Sequence, residues 1–125
     1  MTPAFDIPDV VQQGFAFRAA LVPGGLLVRL TGSADARATA ELHAYVRHLH
    51  GEARRLDVSE VVVDLRSCTF MNSSCFKAIL SWLSAISELA PGAQYRLRFT
   101  WDASSYWQRR GLAALKAYAV DLVLL

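Results

Sequence analysis

Residues Glu60 to Leu89, EVVVDLRSCTFMNSSCFKAILSWLSAISEL, admit one layout: a strand, a loop and a helix. Val61, Val62 and Val63, closed by Asp64 and Leu65, are apolar toward both sides, which suits a strand inside a sheet rather than at its edge. Arg66 to Met71 is a short connector. From Asn72 onward the period becomes helical and predicts a helix over Ser73–Leu89. At about 100° per residue, Lys77, Ser81, Ser84 and Glu88 fall on one narrow polar stripe. Cys75, Phe76, Ile79, Trp82, Leu83 and Ile86 oppose it, and Ser73 and Ser74 sit on the two borders of the stripe at its N-terminal end.

A helix start carries unpaired N–H groups and the positive end of the helix dipole. Asn72 is a favourable N-cap, which makes Ser73 and Ser74 the first two helical positions. A phosphate on either hydroxyl would lie where anions are stabilised. The same three residues also read as an ordinary cap, and local chemistry by itself favours that plainer reading, because caps are common.

This segment resembles the signature of STAS domains, the sulfate-transporter and anti-sigma-factor-antagonist family. That pattern is an apolar strand ending in Asp-Leu, a short loop, then Phe-(Met/Ile)-Asp-Ser-Ser/Thr-Gly opening an amphipathic helix. Val61 to Leu65 matches the strand, Phe70-Met71 the approach, and Asn72-Ser73-Ser74-Cys75 stands where Asp-Ser-Ser-Gly is expected. The resemblance is specific between Val61 and Leu83, and implies an α/β fold: a single STAS-like domain over residues 1–125 with a mixed sheet of about five strands, an N-terminal hairpin and about three helices. It places the phosphorylated hydroxyl on Ser74. The run Asn-Ser-Ser-x-x-Lys is also similar to a STAS-like offshoot, the SiaC-type regulatory phosphoproteins, and in that alignment the modified hydroxyl is Ser73. Either alignment implies a non-catalytic module that binds protein partners through Asn72, Ser73, Ser74, Cys75, Lys77 and Ala78. The implied partners are a serine kinase of the anti-sigma-factor type, a phosphatase and an effector protein. Two residues depart from the pattern, Asn72 for the acid and Cys75 for the glycine. They open a second reading, a degenerate scaffold that binds constitutively, because a side chain in place of glycine adds bulk where a kinase must approach the backbone.

The rest of the chain supports that order of elements. Residues 1–13, with Pro3 and Pro8, read as an extended lead-in without the basic region of a signal peptide. Phe15–Val22 and Leu26–Thr31 flank Pro23-Gly24-Gly25 and form a hairpin. Gly32 to Asp35 stops the strand and caps a helix from about Ala36 to Arg55, with Leu42, Tyr45, Val46, Leu49, Ala53 and Leu56 inward. Its opposite face carries His43, Arg47, His50 and Arg54, read as solvated. No two histidines have the i, i+4 spacing of a shared metal ion, so no metal is expected. Gln94–Trp101 is a strand with Arg96, Arg98 and Thr100 on its second face. A last helix follows, capped by Asp102 or Ser104, with Trp107, Ala114, Leu115 and Tyr118 inward and a break near Arg110-Gly111; Val120–Leu125 is a terminal strand. Arg18, Arg29, Arg96 and Arg98 all stand opposite the large apolar residues, so one sheet face should be only partly covered.

Composition narrows the function. A formal charge of +2 is too small to indicate nucleic acid, and no apolar run approaches the roughly 20 residues of a membrane span. Cys68 and Cys75 have neither zinc spacing nor a partner pair, which fits a reduced, cytoplasmic protein. Catalysis is disfavoured: there is no Gly-x-Ser-x-Gly elbow, no phosphate-binding glycine loop, and hence no expected cofactor. Cys75, directed inward, reads as a structural thiol rather than a redox centre.

Overall fold

The computed structural model describes residues 6–125. In chain order the elements are β1 (Val10–Gln12), β2 (Phe15–Val22), β3 (Gly25–Ala34), α1 (Thr39–Arg55), β4 (Glu60–Asp64), β5 (Cys68–Met71), α2 (Ser73–Ser87), β6 (Arg96–Thr100), α3 (Tyr106–Tyr118) and β7 (Val123–Leu124). Short 3-10 turns over Ala36–Ala38 and Pro91–Ala93 precede α1 and β6. The first five residues of the expected lead-in lie outside the described residues. Further along, the lead-in gains structure: β1 pairs antiparallel with β2, Val10 opposite Phe17, and Ile7 is buried.

The α/β fold expected from the sequence is present, with a mixed sheet of order β1-β2-β3-β4-β6-β7. The first three strands are antiparallel, and β3, β4, β6 and β7 run parallel. Pro23-Gly24 makes the hairpin turn, with Gly24 at φ +81° supplying the left-handed residue that a turn of this kind demands. The inner position of the valine run holds: β4 is paired on both sides, by β3 and β6.

The sheet has seven strands rather than about five: β1 comes from the lead-in, and β5 forms because β3 does not stop at Gly32. Gly32, at φ +84°, shifts the register and carries the strand on to Ala34. Gly25–Arg29 pair with β4, and the extension of β3 pairs with β5, the next strand in the chain. The expected connector is thus partly strand, and β5 delivers the chain to the start of α2 beside the start of α1.

One core cluster joins Leu26, Val28, Val61, Val63, Leu97 and Phe99 of the sheet to the inward faces of the helices. Cys75, Ile79, Trp82, Leu83 and Ile86 of α2 are buried, as the period predicted. Burying such aliphatic and aromatic side chains contributes about 1.5–3 kcal/mol each. The other sheet face is polar: Arg18, Arg29, Arg96 and Arg98 are exposed, and ion pairs join Arg29 to Asp64, Arg98 to Glu60 and Arg18 to Asp9.

The last helix differs from the sequence reading in phase. It buries Gln108, Leu112 and Leu115, while Ala114 and Tyr118 are exposed and Trp107 is half-buried. It runs unbroken through Gly111, where a Cβ would meet the Phe76 ring at 3.2 Å. Its N-cap is Ser105; Asp102 instead accepts hydrogen bonds from the backbone and hydroxyl of Ser104.

Candidate functional site

The site is the first turn of α2. Asn72 is extended (φ −77°, ψ 169°), and its Oδ1 accepts a hydrogen bond from the Cys75 N–H at 2.8 Å. The Asn72 carbonyl accepts the first helical bond, from Phe76, and its N–H donates to Ala34 at the end of β3. One residue therefore ends the strand ladder and begins the helix. Asn72 does this with an amide oxygen, so the acid of the family pattern is not needed for the cap.

Ser73 and Ser74 are both exposed, and Lys77, one turn on, is exposed with them. Cys75 and Ala78 are not available to a partner: both are 0% exposed. They lie on the flank of α2 that packs toward α1, where Cys75 Sγ is 3.5 Å from the Asp35 carbonyl and 3.6 Å from Thr39 Oγ1. Of the six residues expected from the sequence to meet a partner, Asn72, Ser73, Ser74 and Lys77 reach the surface and Cys75 and Ala78 do not. The side chain that replaces the glycine of the family pattern is directed inward, so its bulk does not project outward. Burial pushes its thiol pKa up, with the Thr39 hydroxyl opposing, opposite to the shift of a reactive cysteine.

The histidines of α1 are not simply solvated. His43 and His50 are half-buried, and only His48 is exposed. His43 Nε2 lies 3.0 Å from the Ser74 carbonyl. A carbonyl only accepts, so His43 Nε2 carries the proton. It touches the backbone of Ser74 and leaves the hydroxyl outward, tying α1 to the first turn of α2. His50 Nδ1 lies 2.6 Å from the buried Tyr95 hydroxyl, which accepts from the Trp82 indole N–H at 2.7 Å. The indole can only donate, so among the described residues His50 Nδ1 is the acceptor beside the Tyr95 proton. No sequence signal finds these pairs, because each joins residues on different elements.

Ser73 faces α3 across a shallow groove lined by Met71, Phe76, Trp107, Arg110 and Gly111. Phe70, 47% exposed, stands at the approach. The loop beneath is held by Gln108, whose amide donates to the carbonyls of Leu65 at 2.7 Å and Cys68 at 3.1 Å and accepts from the Asp102 N–H. At the other end of that loop, Asp64 is gripped by Arg66 through two side-chain bonds and its backbone N–H, and by Arg29. These bonds, Arg66 first, hold its pKa down to about 2 against the opposing effect of burial. The two ends of the β4–α2 connection are fixed, and the serines project from a rigid base.

Among the described residues, no group of three or more His, Cys, Asp and Glu side chains could hold a metal ion, and no helix is long and apolar enough to cross a membrane.

No protein-family model and no curated protein matches the sequence. Solved structures do. The chain is similar to an anti-sigma factor antagonist from Mycobacterium paratuberculosis, at 13% identity and a TM-score of 0.61, over 91% of this chain and 88% of that one. It is similar to the anti-sigma factor antagonist SpoIIAA in its unphosphorylated form, at 19% identity and a TM-score of 0.52, over 75% of this chain and 78% of that one. It is also similar to the phosphorylated form of SpoIIAA, the Bacillus cell fate determinant, at 17% identity and a TM-score of 0.54, over 86% and 88% of the two chains. The fold is that of the anti-sigma factor antagonists, STAS-like over most of the chain.

Proposed function

We propose that residues 1–125 act as a single non-catalytic regulatory module, cytoplasmic, that binds protein partners through the first turn of α2 and is switched by phosphorylation of Ser74. The observation that carries this reading is the pair of exposed hydroxyls, Ser73 and Ser74, on the first turn of an Asn72-capped helix, in a fold shared with a protein solved in both phosphorylated and unphosphorylated forms. The partners are a serine kinase of the anti-sigma-factor type, a phosphatase and an effector protein.

The physical logic is a difference between the free and the bound domain. A phosphate adds a charge of about −1.5 to −2. In the free domain the helix N-terminus favours it by about 0.3–1 kcal/mol, and Lys77, three residues beyond Ser74, is placed to pair with it. In a close-packed contact that excludes water, the same charge left unpaired costs several kcal/mol. Ser73 meets the same conditions and is the second acceptor.

The test is phosphosite mapping of protein recovered from its own cells, followed by titration calorimetry of Ser74→Asp, Ser73→Asp and Ser74→Ala against the co-purified partner. Ser74→Asp is expected to weaken binding at least about tenfold, Ser73→Asp less, and Ser74→Ala not at all. A larger effect at Ser73 would move the switch to that residue. Unchanged affinity in both Asp variants would leave a constitutive scaffold.

A further inference from the structure

A second feature lies along the same two helices, away from the hydroxyls. Between α1 and α2 runs a half-open groove of about 370 Å³, within the size range of small-molecule sites. It is lined by the apolar Val46, Trp82 and Ala85, the first two only 5% and 3% exposed, and by the polar His43, Arg47, His50 and Ser81. The hydrogen bonding of the polar lining is directional. Among the described residues the buried Tyr95 hydroxyl has two hydrogen-bond neighbours, and since the Trp82 indole can only donate, His50 Nδ1 is the acceptor of its proton. With Nδ1 accepting, the neutral ring carries its proton on Nε2, which is a donor; burial, with Arg54 adding to it, lowers the His50 pKa. Arg47 offers only donors, carries a fixed charge and makes no ion pair among the described residues, and no acidic side chain lines the groove.

We infer that this groove is a binding site for a small aromatic monocarboxylate, its ring on Val46, Trp82 and Ala85 and its carboxylate accepting from Arg47, His50 and Ser81. One guanidinium with a neutral imidazole and a hydroxyl complements a single negative charge, and the small side chains of Ser81 and Ala85 leave the space a ring needs. At its other end the groove is lined by His43, which holds the Ser74 carbonyl, so an occupant touches the residue that ties α1 to the first turn of α2. The site needs no phosphorylated serine and stands apart from that reading.

The experiment is an NMR titration of the full chain, labelled with nitrogen-15, with benzoate, and with benzamide as its uncharged counterpart. Benzoate is expected to shift the Trp82 indole N–H saturably while the indole signals of Trp101 and Trp107 stay in place. The Arg47→Gln variant, altered at an exposed position that the fold does not use, is expected to bind at least about tenfold more weakly, and Ala85→Leu, which fills the groove, to lose the response while keeping a folded spectrum. Absence of a saturable Trp82 shift, an equal response to benzamide, or equal affinity in Arg47→Gln would overturn the assignment.

Discussion

Asp64 and Ser74 bracket the connection from β4 to α2, and their surroundings are opposite. Asp64 is buried and its two carboxylate oxygens are filled by Arg66 and Arg29. Ser74 is exposed, and its only tertiary hydrogen bond among the described residues is made by its backbone. A polar group whose partners lie within the fold contributes to stability and resists change; one left open at a helix start is free for chemistry from outside. The first explains the rigidity of the loop, the second why that loop presents hydroxyls.

Variants can break this contrast. Of the two residues, Asp64 is expected to show the larger effect: Asp64→Ala leaves the Arg66 N–H and two guanidinium groups without their acceptor, a loss of about 2–3 kcal/mol. Ser74→Ala should stay within about 0.5 kcal/mol. Urea denaturation of both measures the difference, and equal losses would remove the contrast.

Acid sharpens it. The folded pKa of Asp64, about 2, lies below the ordinary value of about 3.9. A carboxylate whose pKa is depressed by folding contributes stability that is complete above the unfolded value and lost as pH falls through the folded one. Stability is therefore expected to decline between about pH 4 and pH 2, and Asp64→Asn to be less acid-sensitive there. Denaturation midpoints across that range check it; parallel curves for the two proteins would count against the role given to Asp64.

At the open end the expected effects on folding are smaller. Asn72→Ala removes the acceptor of the Cys75 N–H and should cost about 1 kcal/mol, read as a lower urea midpoint. Ser74→Asp should leave the melting temperature unchanged or slightly raised by the helix dipole, even as it weakens partner binding. Ser81→Asp, further along the exposed stripe, should be nearly silent in the same melts, whereas Ile79→Asp on the buried side should prevent folding.

The sequence by itself determined the parts whose causes are local. Three consecutive valines needed neighbours on both sides, Asn72 could cap only the helix that begins beside it, and the spacing of Ile79, Trp82, Leu83 and Ile86 fixed the buried side of α2. The tertiary structure decided the rest. Gln108 is polar and has no place in an apolar period, yet it is 1% exposed because the Leu65 and Cys68 carbonyls and the Asp102 N–H satisfy its amide; beside it α3 buries Leu112 and the expected Leu115, and leaves Ala114 and Tyr118 exposed. Ala78 lies one residue beyond the open Lys77, but the packing of α1 against α2 encloses it. His43 and His50 have no local partner, and only that packing brings them to the Ser74 carbonyl and the Tyr95 hydroxyl. Periodicity registers how apolar a residue is; whether a polar side chain can be buried depends on a partner whose distance along the chain it does not encode.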